Sequence, residues 1–322
     1  MSFDPMLQVR DLTVDYIGEN AIARAVNGIS FDIAEGEAFG LAGESGCGKS
    51  TVAFALARLT RLPGLVSGGS IRFKGEEVLD FGPERLRKYR WNEVSFVFQS
   101  AMNALNPVMR VADQIKDTIR AHQPRATKAD IRARAVEMFD LVGIPSRRLD
   151  DYPHQFSGGM RQRIGIAIAL CLNPRLIIMD EPTTALDVVV QRDIIEQICG
   201  LKNTLGFSVL FITHDLGLMI EFCDRIGVMY AGELVEVAAA DQILTAPRHP
   251  YTRALGQSFP PLTGPRQRLD GIAGTPPPLN ALPQGCRFSP RCAKAVALCS
   301  TIAPILQTDP AAKGQVACHL PL

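Results

Sequence analysis

The sequence lacks a membrane span. Its longest uninterrupted apolar stretch, Ile164–Leu172, has nine residues, whereas a spanning helix needs about twenty. The opening MSFDPMLQVRDLTVDY has no basic start leading into an apolar core, so it does not read as a secretory leader. Charge of one sign is missing too: 34 basic side chains stand against 33 acidic ones, a net charge of +1. No global field draws the chain to nucleic acid or anionic lipid. Internal repeats are absent. A composition of 47% hydrophobic and 21% charged residues excludes a disordered or collagen-like chain. These absences predict a cytosolic protein that reaches any membrane through a partner.

The balanced total hides an asymmetry. Residues 1–244 carry 26 basic and 31 acidic side chains, and residues 245–322 carry 8 and 2. The tail is a chemically different piece. Eight cysteines in a cytosolic chain argue against disulfides. Cys47, Cys171, Cys199 and Cys223 are scattered, whereas Cys286, Cys292, Cys299 and Cys318 crowd the tail, which points to metal.

Hydrophobic spacing predicts the elements. Leu7, Val9, Leu12, Val14 and Tyr16 partly alternate, and Ile29, Phe31 and Ile33 alternate cleanly, as strands do. Ala38–Ala42 reads as a short apolar strand, and Thr51–Leu62 as a helix stopped by Pro63 and Gly64. Ile71–Phe73 and Val94–Phe98 read as strands, and 100–172 as a mostly helical insertion. Leu176–Met179, Ser208–Ile212 and Ile226–Tyr230 read as strands, with helices over Val188–Leu201 and Leu216–Cys223. Strands alternating with helices predict an α/β fold with a mostly parallel core sheet. After about residue 245 the pattern ends, and Pro276–Pro278 and Pro283 mark a linker before the cysteines.

Gly43, Glu44, Ser45, Gly46, Cys47, Gly48, Lys49, Ser50 and Thr51 match the phosphate-loop pattern G-x-x-x-x-G-K-[ST]. The glycines let successive N–H groups point at phosphate oxygens. The helix that follows offers the same anion its positive end. Lys49 should reach the β- and γ-phosphates, and the Ser50 hydroxyl should ligate Mg2+. Cys47 should lend its backbone. Leu176–Met179 runs into Asp180 and Glu181, an apolar strand that delivers two carboxylates to the end of a sheet, where nucleotides bind. Asp180 should hold Mg2+, and Glu181 should polarise the attacking water. Ser157, Gly158 and Gly159 open another helix, with serine as N-cap and glycines permitting close backbone approach. One phosphate loop thus stands beside two anion-binding helix starts.

These segments, with Gln99, Thr184-Ala185-Leu186-Asp187 and Thr213-His214-Asp215, resemble the ATP-binding cassette ATPases over about residues 7–245, in that family's order. The resemblance implies a P-loop NTPase cassette with N-terminal antiparallel strands and a helical subdomain. It implies head-to-tail pairing, in which Ser157, Gly158 and Gly159 of one cassette close over ATP held by the other. It also assigns Tyr16 to adenine stacking, Gln99 to Mg2+ and the attacking water, His214 to the γ-phosphate, and Asp187 to the loop that crosses to the other cassette. The catalytic group is then Glu181, His214, Gln99 and Lys49.

The four tail cysteines, spaced by 5, 6 and 18 residues, suit zinc or an iron–sulfur cluster. Structural zinc sites usually carry a tight C-x2–4-C pair, which is missing, so a cubane cluster fits the spacing better. Four unliganded small apolar cysteines are the plain alternative. Arg287, Arg291 and Lys294 stand ready to offset an anionic cluster. Arg248-His249-Pro250-Tyr251-Thr252 followed by CRFSPRC resembles the C-terminal extension of ATPase subunits from dipeptide and oligopeptide importers, placed here at 246–322. That resemblance implies a [4Fe–4S] cluster on the four cysteines, although close relatives import nickel or glutathione. It implies a second, paralogous cassette, two transmembrane permease subunits and, indirectly, a periplasmic peptide-binding protein, at the cytoplasmic face of the bacterial inner membrane. The competing class, a soluble cassette acting on DNA or ribosomes, lacks its usual signs. Between Lys49 and Gln155 there are no sustained heptads, and the chain holds one cassette. No nucleic-acid partner is expected.

Overall fold

The computed structural model describes residues 5–18, 21–99, 104–183, 186–258, 271–309 and 314–322. In chain order the elements are β1 (Leu7–Ile17), β2 (Ile22–Ile33), β3 (Ala38–Ala42), α1 (Lys49–Leu56), β4 (Gly64–Phe73), β5 (Glu76–Glu77), α2 (Pro83–Tyr89), β6 (Val94–Val97), α3 (Val111–His122), α4 (Lys128–Leu141) and α5 (Gly158–Leu170). There follow β7 (Leu176–Asp180), α6 (Val188–Leu205), β8 (Ser208–Ile212), α7 (Leu216–Phe222), β9 (Arg225–Tyr230), β10 (Glu233–Ala239), α8 (Ala240–Thr245), α9 (Pro250–Gln257), α10 (Ala297–Thr301), β11 (Gln307–Asp309) and β12 (Gly314–Val316). The chain divides into two compact units, one from residues 1–34, 38–79 and 211–322, the other from 35–37 and 80–210.

In the first unit, β1 lies between β2 and β4 in an antiparallel sheet of order β2-β1-β4-β5. The partial alternation of β1 has a cause. Leu7 and Val9 point to the core, the register then shifts, and Leu12 and Val14 resume burial. Asp11, in the left-handed region at φ 48°, carries the bulge. A second run of strands has the order β11-β12-β10-β9-β3. There β3 and β9 are parallel, while β9–β10, β10–β12 and β12–β11 are antiparallel. Every residue of β3 is buried, as a strand covered on both faces requires.

Two expectations change here. The first helix starts at Lys49 but ends at Leu56, short of Leu62. Arg58 takes φ 55°, and its guanidinium donates to the Val78 carbonyl at 2.7 Å, so the chain turns away. The tail is not strand-free either. Its β12 extends the sheet by pairing Glu236 with Val316.

In the second unit, β6 and β7 pair in parallel, Val94 with Leu176 through Val97 with Met179, and β8 follows β7. Both β6 and β7 are buried throughout. Each fully buried aliphatic side chain there contributes about 1.5–3 kcal/mol. Helices α2 to α6 make up the rest, so the helical insertion is present. Thr127 and Asp130 form a reciprocal capping box that starts α4. α6 runs on past Leu201 to Leu205, where Gly206 at φ 72° ends it.

Candidate nucleotide site

β3 feeds the phosphate loop, and α1 begins inside it. Gly48 is the N-cap of α1 at φ 108°, and a Cβ there would sit 2.4 Å from the Ala25 carbonyl oxygen. Only glycine fits such a turn, so no side chain blocks the approach to the helix start. Lys49 is buried. Its Nζ donates to the carbonyls of Gly43 at 2.7 Å and Glu44 at 3.0 Å, and lies 3.6 Å from Cys47 Sγ. The ammonium is therefore held inside the loop it serves. Burial pushes the Cys47 thiol up, against the pull of Lys49, which leaves the sulfur protonated and a poor redox nucleophile. Ser45 and Gly46 are exposed at the loop tip, and Ser50 and Thr51 are half-buried. Tyr16, 36% exposed, places its hydroxyl 3.4 Å from Thr51 Oγ1, so its ring lies beside the start of α1.

Glu44 departs from a simple loop role. Its N–H donates to the Tyr251 hydroxyl at 2.9 Å, and its carboxylate is gripped by Arg291 at 2.7 and 3.1 Å. Neither partner was legible as a loop residue. In the same unit, Thr213 is buried and His214 exposed, and Asp215 caps α7 by accepting from Leu218 N at 3.2 Å.

The second unit carries the carboxylates. Asp180 is buried at the end of β7, and Glu181 follows it with a left-handed backbone, φ 46°. A non-glycine residue there stores strain, which folds retain where a side chain must be aimed. Gln99, just past β6, donates from Nε2 to Glu181 Oε2 at 2.7 Å. Ser157 caps α5 by accepting from Met160 N at 3.3 Å. A Cβ on Gly159 would lie 2.7 Å from Val190 Cγ1, so the glycine allows α5 and α6 to approach. Asp187 caps α6 by accepting from Val190 N at 3.0 Å. Thr184 and Ala185 lie outside the described residues.

A family model described as ABC transporter matches residues 26–184, and one described as the C-terminal region of oligopeptide and dipeptide transporters matches 235–299. The Sinorhizobium fredii protein named "Probable peptide ABC transporter ATP-binding protein y4tR" is 44% identical over 307 residues, covering 94% of this chain and 91% of its own length. The oligopeptide transport ATP-binding protein OppD of Escherichia coli is 41% identical over 309 residues, covering 95% and 91%. This chain belongs to the ABC transporter ATPase family. Among solved structures, the ATP-binding cassette MJ0796, a dimer bound to ADP and Pi after hydrolysis, aligns at TM-score 0.65 and 28% identity, over 73% of this chain and 99% of its own. The cassette fold expected from the sequence is the one present, with its antiparallel sheet, mixed sheet and helical subdomain.

The cysteines of this ABC ATPase share one neighbourhood. Cys286 N donates to the Cys299 carbonyl at 2.8 Å. Burial pushes the Cys286 thiol up to about 11, and nearby Cys299 and Cys318 add to the rise. Cys318 is raised too, by burial first, with Cys292 and Cys299 contributing. Yet among the described residues no group of three or more His, Cys, Asp or Glu side chains could hold a metal ion. The four tail cysteines therefore do not form such a group, and the expected cluster site is not gathered. The arginines expected to offset a cluster are committed elsewhere, Arg291 to Glu44 and Arg287 to Glu233 at 3.0 Å and to the Ala231 carbonyl. Lys294 is exposed.

Proposed function

We propose that this chain is the ATP-hydrolysing subunit of a membrane importer for dipeptides or oligopeptides. The observation that carries the reading is the match of residues 235–299 to the oligopeptide and dipeptide transporter C-terminal region, on a chain whose phosphate loop is intact. In this reading the Gly43–Thr51 loop wraps the phosphates, Lys49 turns from its carbonyls to the β- and γ-oxygens, and Tyr16 stacks on adenine. Ser50, Gln99 and Asp180 are hard oxygen donors that fit Mg2+, which supplies charge neutralisation on the phosphates. Glu181, aimed by its strained backbone and by Gln99, accepts a proton from the attacking water, and His214 contacts the γ-phosphate. Ser157, Gly158, Gly159 and Asp187 serve a nucleotide on a partner cassette, a paralogue giving a heterodimer.

Closure of the pair on ATP, and reopening after hydrolysis, would switch two transmembrane permease subunits fed by a periplasmic peptide-binding protein. Among the described residues no helix is long and apolar enough to cross a membrane. The chain then sits at the cytoplasmic face of the bacterial inner membrane by holding those permeases. For the tail, four soft sulfur donors suit a [4Fe–4S] group by donor chemistry, which would have to draw them together from their present positions. Cys286, Cys292, Cys299 and Cys318 would hold it, and its iron–thiolate bonds would tie the segment together.

Affinity capture of the full chain from its native host tests the reading. Two multi-spanning proteins and a second cassette should co-purify, and uptake of a labelled dipeptide should stop when the gene is deleted. Retention on DNA or ribosomes, with no membrane protein captured, would overturn it.

A further inference from the structure

The segment Cys286–Cys292 lies against the phosphate loop. The side chain of Arg291 is 4% exposed, and its five N–H donors are all spent. Nη1 donates to Glu44 Oε2 at 2.7 Å and to the Tyr230 hydroxyl at 3.2 Å. Nη2 donates to Glu44 Oε1 at 3.1 Å and the Ile272 carbonyl at 3.2 Å, and Nε to the Ala273 carbonyl at 2.9 Å. Such a fork fixes direction as well as distance, which a lysine cannot do. Glu44 is also the residue whose carbonyl accepts from Lys49 Nζ at 3.0 Å, while its amide is tied to Tyr251.

A second contact runs parallel. Arg287 donates to the Ala231 carbonyl, and the next residue, Gly232, donates its N–H to the Cys47 carbonyl at 2.9 Å. Between the two arginines Phe288 is buried, its ring 5.3 Å from the centroids of both Tyr230 and Tyr251. The segment thus reaches the loop at Glu44 directly and at Cys47 through one residue. A mere anchor for the tail would not need to end on a loop carboxylate.

We propose that Arg291 is a positioning residue for nucleotide binding: its fork neutralises Glu44 and fixes the phosphate loop, so that the cysteine-bearing segment sets nucleotide affinity. The inference rests on the loop binding ATP, as proposed above. Without Arg291, a bare carboxylate is left beside the place where a triphosphate must sit, and the loop loses its outer tether. With both side chains removed, the repulsion is gone and only the tether is lost.

Equilibrium titration of the full chain with a fluorescent ATP analogue tests this, alongside thermal melting. Arg291→Ala should weaken binding about 5- to 150-fold, the usual span of couplings between sites. Arg291→Lys, which keeps the charge and loses the fork, should fall between wild type and Arg291→Ala. Glu44→Ala combined with Arg291→Ala should bind more tightly than Arg291→Ala alone, a non-additivity that reports direct coupling. A lowered melting temperature with wild-type affinity in Arg291→Ala or Arg291→Lys would overturn the proposal and leave a structural anchor. So would a double variant no better than Arg291→Ala. If Arg291→Ala does not fold, Arg291→Lys decides on its own. Absence of binding by the wild-type chain would instead sink the ATPase reading of the loop.

Discussion

Gln99 donates its side-chain amide to the Glu181 carboxylate at 2.7 Å. The bond joins the residue after β6 to the residue after β7, and Glu181 holds it from a strained backbone. The amide thereby fixes the direction in which the carboxylate points.

Glu181→Gln keeps the shape and can still meet Gln99, but it cannot accept a proton. Steady-state phosphate release should fall about 100- to 10,000-fold, the usual worth of a positioned general base. Binding of the fluorescent ATP analogue should persist, and a closed cassette pair should accumulate on gel filtration. Near-normal turnover would remove Glu181 from its role.

Lys49 is the cation that the loop holds ready, bonded to two of its carbonyls. Lys49→Ala removes charge-assisted bonds worth about 1.5–3 kcal/mol each. Nucleotide affinity should therefore drop by at least tenfold in the same titration. Undiminished affinity would show that the loop has been misread.

The phosphate loop was readable because its chemistry is local: glycines, a lysine and a hydroxyl within nine residues. The partial alternation of β1 was readable, but the register shift between Val9 and Leu12 that causes it was not, since the bulge at Asp11 is a backbone feature. β10 was not readable. Its Glu236 interrupts the apolar run but is buried, with the amides of Arg248 and His249 each donating to its carboxylate at 2.8 Å. Those partners come from a later turn, so the periodicity of the strand alone misleads. The short β11 and β12 are three residues each, below the length at which alternation can be recognised. Nor does any spacing rule join Arg291 to a loop residue 247 positions away. The charge of Arg291 is visible in the sequence, whereas the packing that turns it onto Glu44 is not.

The tail cysteines give a prediction that does not depend on turnover. Thiolate binding to iron must displace protons from thiols that burial holds high, Cys286 at about 11, so metal uptake should rise with pH. Anaerobic purification of the full chain should yield brown protein with broad visible absorption, iron and acid-labile sulfide. Replacing Cys286 and Cys299 together by serine should abolish the colour while the chain remains folded by circular dichroism. Stoichiometric zinc without iron, or colourless metal-free protein, would overturn the cluster.

His249 gives a pH signature of folding. Its ring is buried, its Nδ1 accepts from Tyr251 N at 3.0 Å, and its own N–H is bound to Glu236. Burial lowers its pKa from 6.5 to about 4, so the folded chain keeps the ring neutral. The stability this represents is fully present above pH 6.5. It is lost as pH falls toward 4, because the unfolded chain takes up the proton first. Between pH 7 and 5 the loss is about 2 kcal/mol. Glu236 acts in the opposite direction, since burial raises its pKa, and the Arg248 guanidinium lies within bonding distance of Asp309 at 2.6 Å. The absolute slope therefore mixes terms, and the comparison must be made against a variant. His249→Asn keeps an acceptor able to cap the Tyr251 amide and removes the titrating ring while leaving Glu236 in place. It should be less stable at pH 7, through lost packing on Phe288, whose ring lies 5.9 Å from that of His249. The gap to wild type in urea unfolding should then narrow by about 2 kcal/mol on going to pH 5. A gap that stays constant over that range would mean that His249 titrates alike in the folded and unfolded chains, and the buried neutral ring would have to be given up.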